Sequence, residues 1–382
     1  MIQNYIITSE SVSDGHPDKL CDIISDSLLD AYLRENQLVH TAIDTVVTAN
    51  TVLIFGEVSG ASLSTKNIDI LVRNIIKDIG YEQEHFNWKT LKIKNYIHGQ
   101  SQDILEGIGC EGAGDQGIMF GYACSDTENF MPAPIYYAHK ILKNLKFYRS
   151  SQLKNILGPD AKSQVTIQYR DGKPFKIHSV VVSTQHHPDY TINQLREIIR
   201  PIILESLPKE WVGEEIHLYI NPAGRFVTGG PEADTGLTGR KIIVDTYGGA
   251  ASHGGGAFSG KDPSKVDRSA AYMARYLAKN IVAAGLAKEC TLQLSYAIGL
   301  KQPISLFLNM HNTGRITEAC LGAYIQKQFD LSPLGIRKYF NLNSPIYTRT
   351  ASYGHFGREP DEDGGFSWEK LDLIPFLNLL QV

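Results

Sequence analysis

The stretch TAIDTVVTANTVLIFGEV, residues 41–58, decides the fold, because it predicts two β-strands joined by a tight turn at Ala49-Asn50. Apolar residues recur at helical spacing before it, from about Pro17 to Arg34, and again after it, at 65–79. The stretch is therefore the centre of a helix–hairpin–helix unit.

The same order of elements recurs twice along the chain. A helix near 132–147 precedes the hairpin SQVTIQY and FKIHSVVVS, turned at Asp171-Gly172, and a helix at 191–206 follows. A helix near 263–284 precedes the strands CTLQLSYAI and QPISLFLN, and a helix at 314–328 follows. Repeats of this length predict α/β (α+β) domains rather than a solenoid. We place the three similar domains at residues 3–100, 113–231 and 233–371.

The composition is that of an ordinary globular protein. Of 382 residues, 42% are hydrophobic and 20% are charged, and the net charge is −4. No overall basic surface is therefore expected for nucleic acid or an anionic membrane. The five cysteines are never spaced as C-x-x-C, which argues against a disulfide framework and against a zinc site. Without a signal sequence or a membrane-length apolar run, we expect a cytoplasmic protein.

The glycine-rich stretch GGGAFSGKDPSKVDR, residues 254–268, follows a Walker A phosphate loop up to its lysine. Asp262 then stands where that motif requires Ser or Thr. We predict a strand at 241–246 before this loop and a helix N-terminus capped by Asp262 after it. The N–H groups at a helix N-terminus favour an anion.

The charges of this loop indicate a polyphosphate. Lys261 and Lys265 flank the predicted helix start, where a cation opposes the helix dipole unless a polyanion binds there. Asp262 or Asp267 is available to cap the helix or to hold a divalent cation. The alternative is a surface loop with solvated charges.

A second stretch, SDGHPDK at residues 13–19, also leads into a helix. It brings together His16, which can donate a proton, Asp18, whose oxygens suit Mg²⁺, and the cation Lys19. This is the set of groups that stabilises a leaving phosphate oxygen. The alternative is that Asp18 only caps the helix and His16 lies on the surface.

Two further stretches are candidates. In GAGDQG, residues 112–117, Asp115 is either a ligand or the residue that forms an Asx turn. Arg240 and Lys241 are adjacent, and they either hold one phosphate chain or are solvated charges at a strand end.

Several enzyme classes lack their sequence signature. We find no G-x-S-x-G, no Cys/His dyad in a supporting context and no dinucleotide-binding fingerprint. The residues alone indicate a nucleotide-dependent enzyme that uses Mg²⁺. They leave open a kinase or ATP-dependent ligase, and also a catalytically silent nucleotide-binding subunit.

A family resemblance goes further than these patterns. In order and spacing, five motifs resemble those of S-adenosylmethionine synthetases of the bacterial and eukaryotic type: GHPDK at 15–19, GAGDQG at 112–117, PDAKSQV at 159–165, GLTGRKIIVDTYGG at 236–249 and GGGAFSGKDPSKVDRSAAY at 254–272. YGHFGRE at 353–359 is similar to the family's C-terminal signature. The resemblance implies three α/β domains with pseudo-threefold symmetry and mixed sheets covered by helices. It also implies a homotetramer, a dimer of dimers with active sites at the dimer interface.

The resemblance also implies a reaction and its residues. The methionine sulfur attacks C5′ of ATP, and the released triphosphate is hydrolysed to pyrophosphate and phosphate. The implied catalytic residues are His16, Lys162, Arg240, Lys241, Lys261 and Lys265. The implied ATP-binding residues are His16, Asp160, Ala161, Lys162, Arg225, Phe226, Asp234, Arg240, Lys241, Ala257 and Lys261. The implied methionine-binding residues are Glu57, Gln100, Asp234 and Lys265.

The implied cofactors are two Mg²⁺ ions per active site, bound by Asp18 and Asp267, and one K⁺ per subunit. The sequence departs from the family pattern at the K⁺ position, where Asp44 replaces a glutamate and is one methylene shorter. The implied mobile lid, from Gln100 to about Glu111, is shorter than in many relatives and has Gln102 where proline is common.

Overall fold

The computed structural model describes residues 4–99, 112–213 and 216–381. Its strands are β1 (Asn4–Val12), β2 (His40–Thr48), β3 (Thr51–Ser59), β4 (Lys92–Gly99), β5 (Gly117–Cys124), β6 (Leu157–Arg170), β7 (Lys173–His186), β8 (His217–Ile220), β9 (Gly236–Leu237), β10 (Glu289–Tyr296) and β11 (Ser305–Asn309). Its helices are α1 (Pro17–Glu35), α2 (Thr65–Ile79), α3 (Ala133–Arg149), α4 (Ile192–Glu205), α5 (Ile242–Asp245), α6 (Val266–Ala283), α7 (Glu318–Gln328), α8 (Pro333–Phe340) and α9 (Ile374–Asn378).

The three predicted helix–hairpin–helix units are present. They are α1 with β2–β3 and α2, α3 with β6–β7 and α4, and α6 with β10–β11 and α7. Helix α2 has the predicted bounds, because Ser64 caps its start by accepting from Asn67 N and Gly80 ends it in the left-handed conformation. The prediction of a three-domain α/β fold is confirmed.

The strand that precedes each unit along the chain joins the sheet of a different unit. Strand β1 pairs with β6, β5 pairs with β10, and β9 pairs with β2, all antiparallel. The sheet orders are β1-β6-β7-β8, β11-β10-β5 and β4-β3-β2-β9. Since β4 and β8 pair in parallel with β3 and β7, two of these sheets are mixed. The exchange ties the three units into one structure.

Helices α1 and α6 are buried along most of their length. Leu20, Ile24 and Leu28 of α1 are fully buried, as are Ala270 and Ala274 of α6. A buried ion pair joins the two helices: Arg268 Nη1 and Nη2 bond to the Asp26 carboxylate at 2.7 and 2.8 Å. The N-termini of both helices are therefore held at fixed positions.

The predicted strand at 241–246 is wrong, because Ile242–Asp245 form the single helical turn α5. The β-branched residues favour a strand locally, but strand preference depends on packing. Here the packing is decided by Asp245, which is buried against the ammonium group of Lys19.

The predicted start of the third-unit helix is also wrong, since α6 begins at Val266. Asp262 does not cap that helix. Its Oδ1 accepts from Ser264 N at 2.9 Å and its Oδ2 accepts from Thr41 N at 2.8 Å, so it fixes the preceding turn to β2. None of the helices in the described ranges is long and apolar enough to span a membrane.

Candidate active site

The first cluster of predicted site residues lies at the start of α1. His16, and not Asp18, is the N-cap residue, and its Nδ1 accepts a hydrogen bond from Asp18 N at 3.2 Å. Because Nδ1 accepts, the ring proton of the neutral histidine lies on Nε2. Burial and then the ammonium groups of Lys241 and Lys162 lower the pKa of His16 to about 3. The ring is neutral near pH 7 and presents an N–H donor.

Asp18 is nearly buried and connects α1 to the loop that holds Arg240 and Lys241. Its Oδ2 lies 2.5 Å from Lys241 Nζ, and its Oδ1 accepts from Leu237 N at 3.0 Å. Arg240 Nη1 is 3.6 Å from Oδ1. Burial raises the pKa of Asp18, but the hydrogen bonds from Lys241 and Leu237 N and the Lys241 charge together outweigh it, so the net pKa is lowered and the carboxylate is charged.

The segment Asp160–Lys162 of β6 lies beside this cluster. A Cβ at Gly15 would overlap the carbonyl of Pro159, so only glycine allows this close approach next to His16. Lys162 is exposed, and Ala161 is buried. Burial raises the pKa of Asp160 to about 6. Its Oδ2 accepts from Gly230 N at 2.9 Å, and its buried Oδ1 has no partner in the described part of the chain.

Four further predicted ATP-binding residues, Arg225, Phe226, Asp234 and Ala257, contact the surroundings of this first cluster. Phe226 exchanges hydrogen bonds with His186, through its N–H at 3.2 Å and its carbonyl at 2.9 Å. Its neighbour Arg225 is exposed, as is Asp234, whose charge contributes to raising the pKa of Asp160. Ala257 packs so close to Gly239 that a Cβ at that glycine would lie 2.7 Å from its own.

The second cluster lies at the start of α6. Lys261 Nζ is 2.5 Å from Asp267 Oδ2, and Lys265 Nζ is 2.5 Å from Asp262 Oδ2. A Cβ at Gly256 would overlap the Asp267 carboxylate, so this glycine lets the backbone lie against it. Asp267 therefore sits in a cradle made by the glycine-rich loop.

Glu57 and Asp44 belong to the second cluster. Residue 261 forms a β-bridge with Ala42, and Ala42 lies opposite Glu57 in the β2–β3 pair. Asp44 lies on the same face, two residues along β2. Loss of solvent raises the pKa of Asp44, the Lys261 ammonium lowers it and Glu57 raises it, and the net pKa is raised.

Two further predictions concern the residues next to this cluster. Asp115 Oδ1 accepts from the adjacent Gln116 N at 2.7 Å, and the neighbouring Gly117 lies near the Asp267 carboxylate. Gln100 and the predicted lid lie outside the described residues.

The two clusters are at different points along the same strand. Segment 236–237 pairs with β2 at Val46 and Val47, whereas residue 261 bridges to Ala42. At a rise of about 3.3 Å per residue, the pairing points of Leu237 and Lys261 are about 13 Å apart. Within the described ranges, no hydrogen bond or ion pair joins Asp18 to Asp267.

Asp18 and Asp267 suit Mg²⁺ ions that take most of their coordinating oxygens from the phosphates of a bound substrate. No group of three or more His, Cys, Asp or Glu that could hold a metal is found in the described ranges. Mg²⁺ commonly takes only one or two protein carboxylates together with substrate phosphates. Asp18 and Asp267 are each a charged or hydrogen-bonded single carboxylate next to a lysine, which suits this mode.

Sequence reasoning assigned the wrong role to one residue that shapes the clusters, Lys19, and missed two others, Asp22 and His253. Lys19 was predicted as a site cation, but it is fully buried between Asp22, at 2.9 Å, and Asp245. Asp22 Oδ1 also accepts from Gly239 N at 2.9 Å and so positions the loop of Arg240. His253 accepts from Gly255 N at 2.8 Å and lines a cavity of about 10 Å³ with Asp267. Its position directly before the glycine run was the available signal.

Comparison with known proteins matches almost the whole chain to a single family. Models of the N-terminal, central and C-terminal domains of S-adenosylmethionine synthetase match residues 4–102, 110–226 and 228–370. The chain is 56% identical over 394 residues to S-adenosylmethionine synthase 2 of Rhodopseudomonas palustris (strain BisB18), with 99% of both chains covered. It is 57% identical over 378 residues to S-adenosylmethionine synthase of Paramagnetospirillum magneticum (strain ATCC 700264 / AMB-1), with 97% of both covered.

Proposed function

Because the chain belongs to the S-adenosylmethionine synthetase family, we propose that it forms S-adenosylmethionine from ATP and L-methionine. The observation that supports this most is the pair of Asp–Lys contacts, Asp18 with Lys241 and Asp267 with Lys261, each at a helix N-terminus. Such sites bind phosphate oxygens and Mg²⁺.

The chemical step needs no general base from the protein. The neutral methionine sulfur attacks C5′ of ATP with its own lone pair, the bond from C5′ to O5′ breaks, and the sulfonium product forms without transfer of a proton. The barrier is then lowered by positioning the reactants and by stabilising charge on the departing triphosphate. This agrees with two clusters rich in cations.

His16 assists the departure of the triphosphate. Its Nδ1 is occupied by Asp18 N, so its Nε2–H is free to donate to O5′ as negative charge develops there. The neutral ring donates a hydrogen bond in this role and does not have to release a proton. Lys162, Arg240 and Lys241 stand beside it to bind the phosphate oxygens.

The second cluster completes the site. Lys261 binds the polyphosphate chain, and Lys265 and Glu57 contact methionine together with Gln100 and Asp234. Asp18 and Asp267 would each hold one Mg²⁺. Mg²⁺ bound to the triphosphate neutralises charge on its oxygens. The same groups remain in place when the triphosphate is hydrolysed to pyrophosphate and phosphate. Asp44 takes the position of the K⁺ ligand.

The separation of the clusters supports an active site between two chains. In sites where two metal ions act on a single phosphoryl group, the ions lie about 4 Å apart. The pairing points of Leu237 and Lys261, which position Asp18 and Asp267, are about 13 Å apart along β2. The cavity beside Asp267 holds about 10 Å³, whereas ligand pockets hold about 300 Å³ or more. We therefore infer that the first cluster of one subunit faces the second cluster of its partner, in a dimer of dimers.

Product analysis tests the reaction. The protein is incubated with ATP, Mg²⁺ and methionine, with and without K⁺, and the products are identified by mass. We expect adenosine attached to methionine, with pyrophosphate and phosphate. ADP would indicate a kinase, AMP with an acyl adenylate would indicate a ligase, and no product would indicate a silent nucleotide-binding subunit. Each of these three results would refute the proposal.

A further inference from the structure

A cavity of about 160 Å³ lies between α3 and the loop 353–358. His139, Lys140 and Lys143 line it from the helix, and Tyr353 and Phe356 line it from the loop. No residue of the two clusters described above is among its lining residues. Its volume is about ten times the minimum that holds one water molecule, which leaves room for a small ligand.

The two lysines that line the cavity have no carboxylate partner in the described part of the chain. Lys140 and Lys143 form no ion pair among the residues that the structure describes, and Arg358 behind them donates to the backbone carbonyls of Ser352 and Gly354. Burial and then the Arg358 guanidinium lower the pKa of Lys143 to about 7. Cations brought together without a counterion are expected where an anion binds.

The carboxylates near this cavity are committed to other cations. Asp14 lies 2.7 Å from Lys146 and 3.1 Å from Arg149. Glu369 pairs with Arg275 at 2.9 Å and with Lys279 at 2.7 Å. Asp361 pairs with Arg349 at 2.8 Å.

Two acids remain at the side of Tyr136. Glu128 accepts from the Tyr136 hydroxyl at 3.2 Å, and Glu359 is exposed. Neither forms an ion pair with Lys140 or Lys143 in the described ranges, so the positive charge of the lysines is available to a ligand.

A buried histidine also lacks a partner here. His139 is 5% exposed; its Nδ1 is 2.7 Å from Ser11 Oγ, while its Nε2 has no hydrogen-bond partner in the described ranges. Leaving a buried polar atom without a partner is costly, and such an atom needs an explanation. An anion in the cavity would stabilise the imidazolium form, whose Nε2–H then donates to it.

The conformation of the loop brings it onto this histidine. Tyr353, Gly354 and Gly357 all have positive φ, and a Cβ at Gly354 would lie 2.8 Å from His139 Nε2. A cavity with two lysines, a histidine and aromatic walls matches a phosphate group with a small substituent. We propose that this cavity is a second anion site, separate from the candidate active site, which binds a phosphate dianion, either free or as a small organic ester.

Competitive acetylation tests the proposal at the residue concerned. The full protein reacts with a trace of acetic anhydride at pH 7, with and without inorganic phosphate, and peptide mass spectrometry measures acetylation of Lys143. Only the unprotonated amine reacts, so if phosphate raises the pKa of Lys143 by about one, the rate falls about fivefold. Lys154, which is exposed and does not line the cavity, is the internal control and should react at an unchanged rate.

Two further measurements show whether phosphate protects Lys143 from the cavity or from the candidate active site, and whether the cavity prefers free phosphate or an organic ester. In Lys261→Met, phosphate should still protect Lys143, because the residue that binds phosphate in the candidate active site is elsewhere. Stronger protection by phenyl phosphate than by inorganic phosphate would assign an organic ester, and the reverse order would assign free phosphate. Equal rates of Lys143 acetylation with and without both anions, or protection that disappears in Lys261→Met, would overturn the proposal.

Equilibrium dialysis with radiolabelled phosphate gives an independent measure. In the Lys261→Met background, Lys143→Met should lose one bound phosphate per chain, whereas the charge-matched Lys154→Met should retain it. Equal binding by these two variants would overturn the second site.

Discussion

The two Asp–Lys pairs of the candidate active site have the same contact distance but different surroundings. Asp18 with Lys241 and Asp267 with Lys261 both meet at 2.5 Å. In the first pair, the side chain of Asp18 is 5% exposed and that of Lys241 is 19% exposed. In the second pair, the side chain of Asp267 is 27% exposed and that of Lys261 is 28% exposed. Asp18 also accepts a backbone N–H from Leu237. The first pair is thus part of the protein core and preformed, while the second is open to a ligand.

The largest expected effect concerns the residue that caps the first pair's helix. In His16→Asn, the amide oxygen still accepts from Asp18 N, but the Nε2–H donor is lost. We expect S-adenosylmethionine formation to fall by about 100-fold or more, with little change in the Kd for ATP. Single-turnover kinetics and calorimetry measure the two quantities. Equal losses in both would refute the role of His16 in triphosphate departure.

The same variant should change how the stability of the folded chain depends on pH. The pKa of His16 is about 3 in the folded chain and about 6.5 in the unfolded chain. The unfolded chain therefore binds a proton that the folded chain does not, and stability is lost as pH falls from about 6.5 toward about 3. As pH falls, the free energy of unfolding should decrease less in His16→Asn than in the wild type, by up to about 1.4 kcal/mol per pH unit in that window. Urea unfolding at pH 7 and pH 5 measures the difference, and parallel losses would contradict a buried neutral ring.

The two aspartates should differ more in stability than in activity. Both Asp18→Asn and Asp267→Asn should lose most activity, because each loses a proposed Mg²⁺ ligand. Asp18→Asn leaves Lys241 without its carboxylate near the core, so we expect the free energy of unfolding to fall by about 3 kcal/mol. In Asp267→Asn the free energy of unfolding should fall by about 1 kcal/mol or less, since solvent screens Lys261. Similar unfolding curves for the two variants would show that the difference in exposure has no energetic consequence.

The glycine beside each pair offers a smaller contrast. In Gly15→Ala the new methyl meets the backbone carbonyl of Pro159, which cannot move independently, so we expect a lowered Tm. In Gly256→Ala it meets the Asp267 side chain, which can rotate away, so we expect weaker Mg²⁺-dependent ATP binding with a nearly unchanged Tm. Calorimetric scans and ATP titrations distinguish these outcomes, and a reversal of the two would contradict the comparison.

The smallest expected effect concerns K⁺. Asp44 is one methylene shorter than the glutamate that the family resemblance implies at this position, so we expect Asp44→Glu to increase the ratio of rates with and without K⁺ by about twofold to tenfold. The ratio is measured at a fixed ionic strength kept with a larger organic cation. No change in the ratio would show that this side chain does not contact the ion.

Local patterns predicted most elements of the fold but not their connections. The helices around TAIDTVVTANTVLIFGEV follow from apolar spacing, and Ser64 and Gly80 even fix the ends of α2. The pairing of β1 with β6 is not readable from the sequence, because its register depends on residues more than a hundred positions away. The strand predicted at 241–246 failed for a related reason, since burial of Asp245 against Lys19 overrides the preference of its β-branched neighbours.

The candidate site was predictable as residue types and not as geometry. The sequence indicated that His16, Asp18, Lys261 and Asp267 serve a polyphosphate. It did not show that His16 caps α1 through Nδ1, which fixes the position of its proton, nor that Asp18 and Asp267 belong to separate clusters along β2. Both facts arise from tertiary packing.

Mixed oligomers test the central claim that the two clusters of one site come from different chains. Asp18→Asn and Asp267→Asn subunits are co-expressed with different tags, and the species carrying both tags is purified and assayed beside each parent. If sites form between subunits, random pairing restores one of the two sites in half of the dimers, so the unfractionated mixture should show about a quarter of the wild-type rate, and the doubly tagged fraction more. Activity no greater than that of the two inactive parents would contradict the claim.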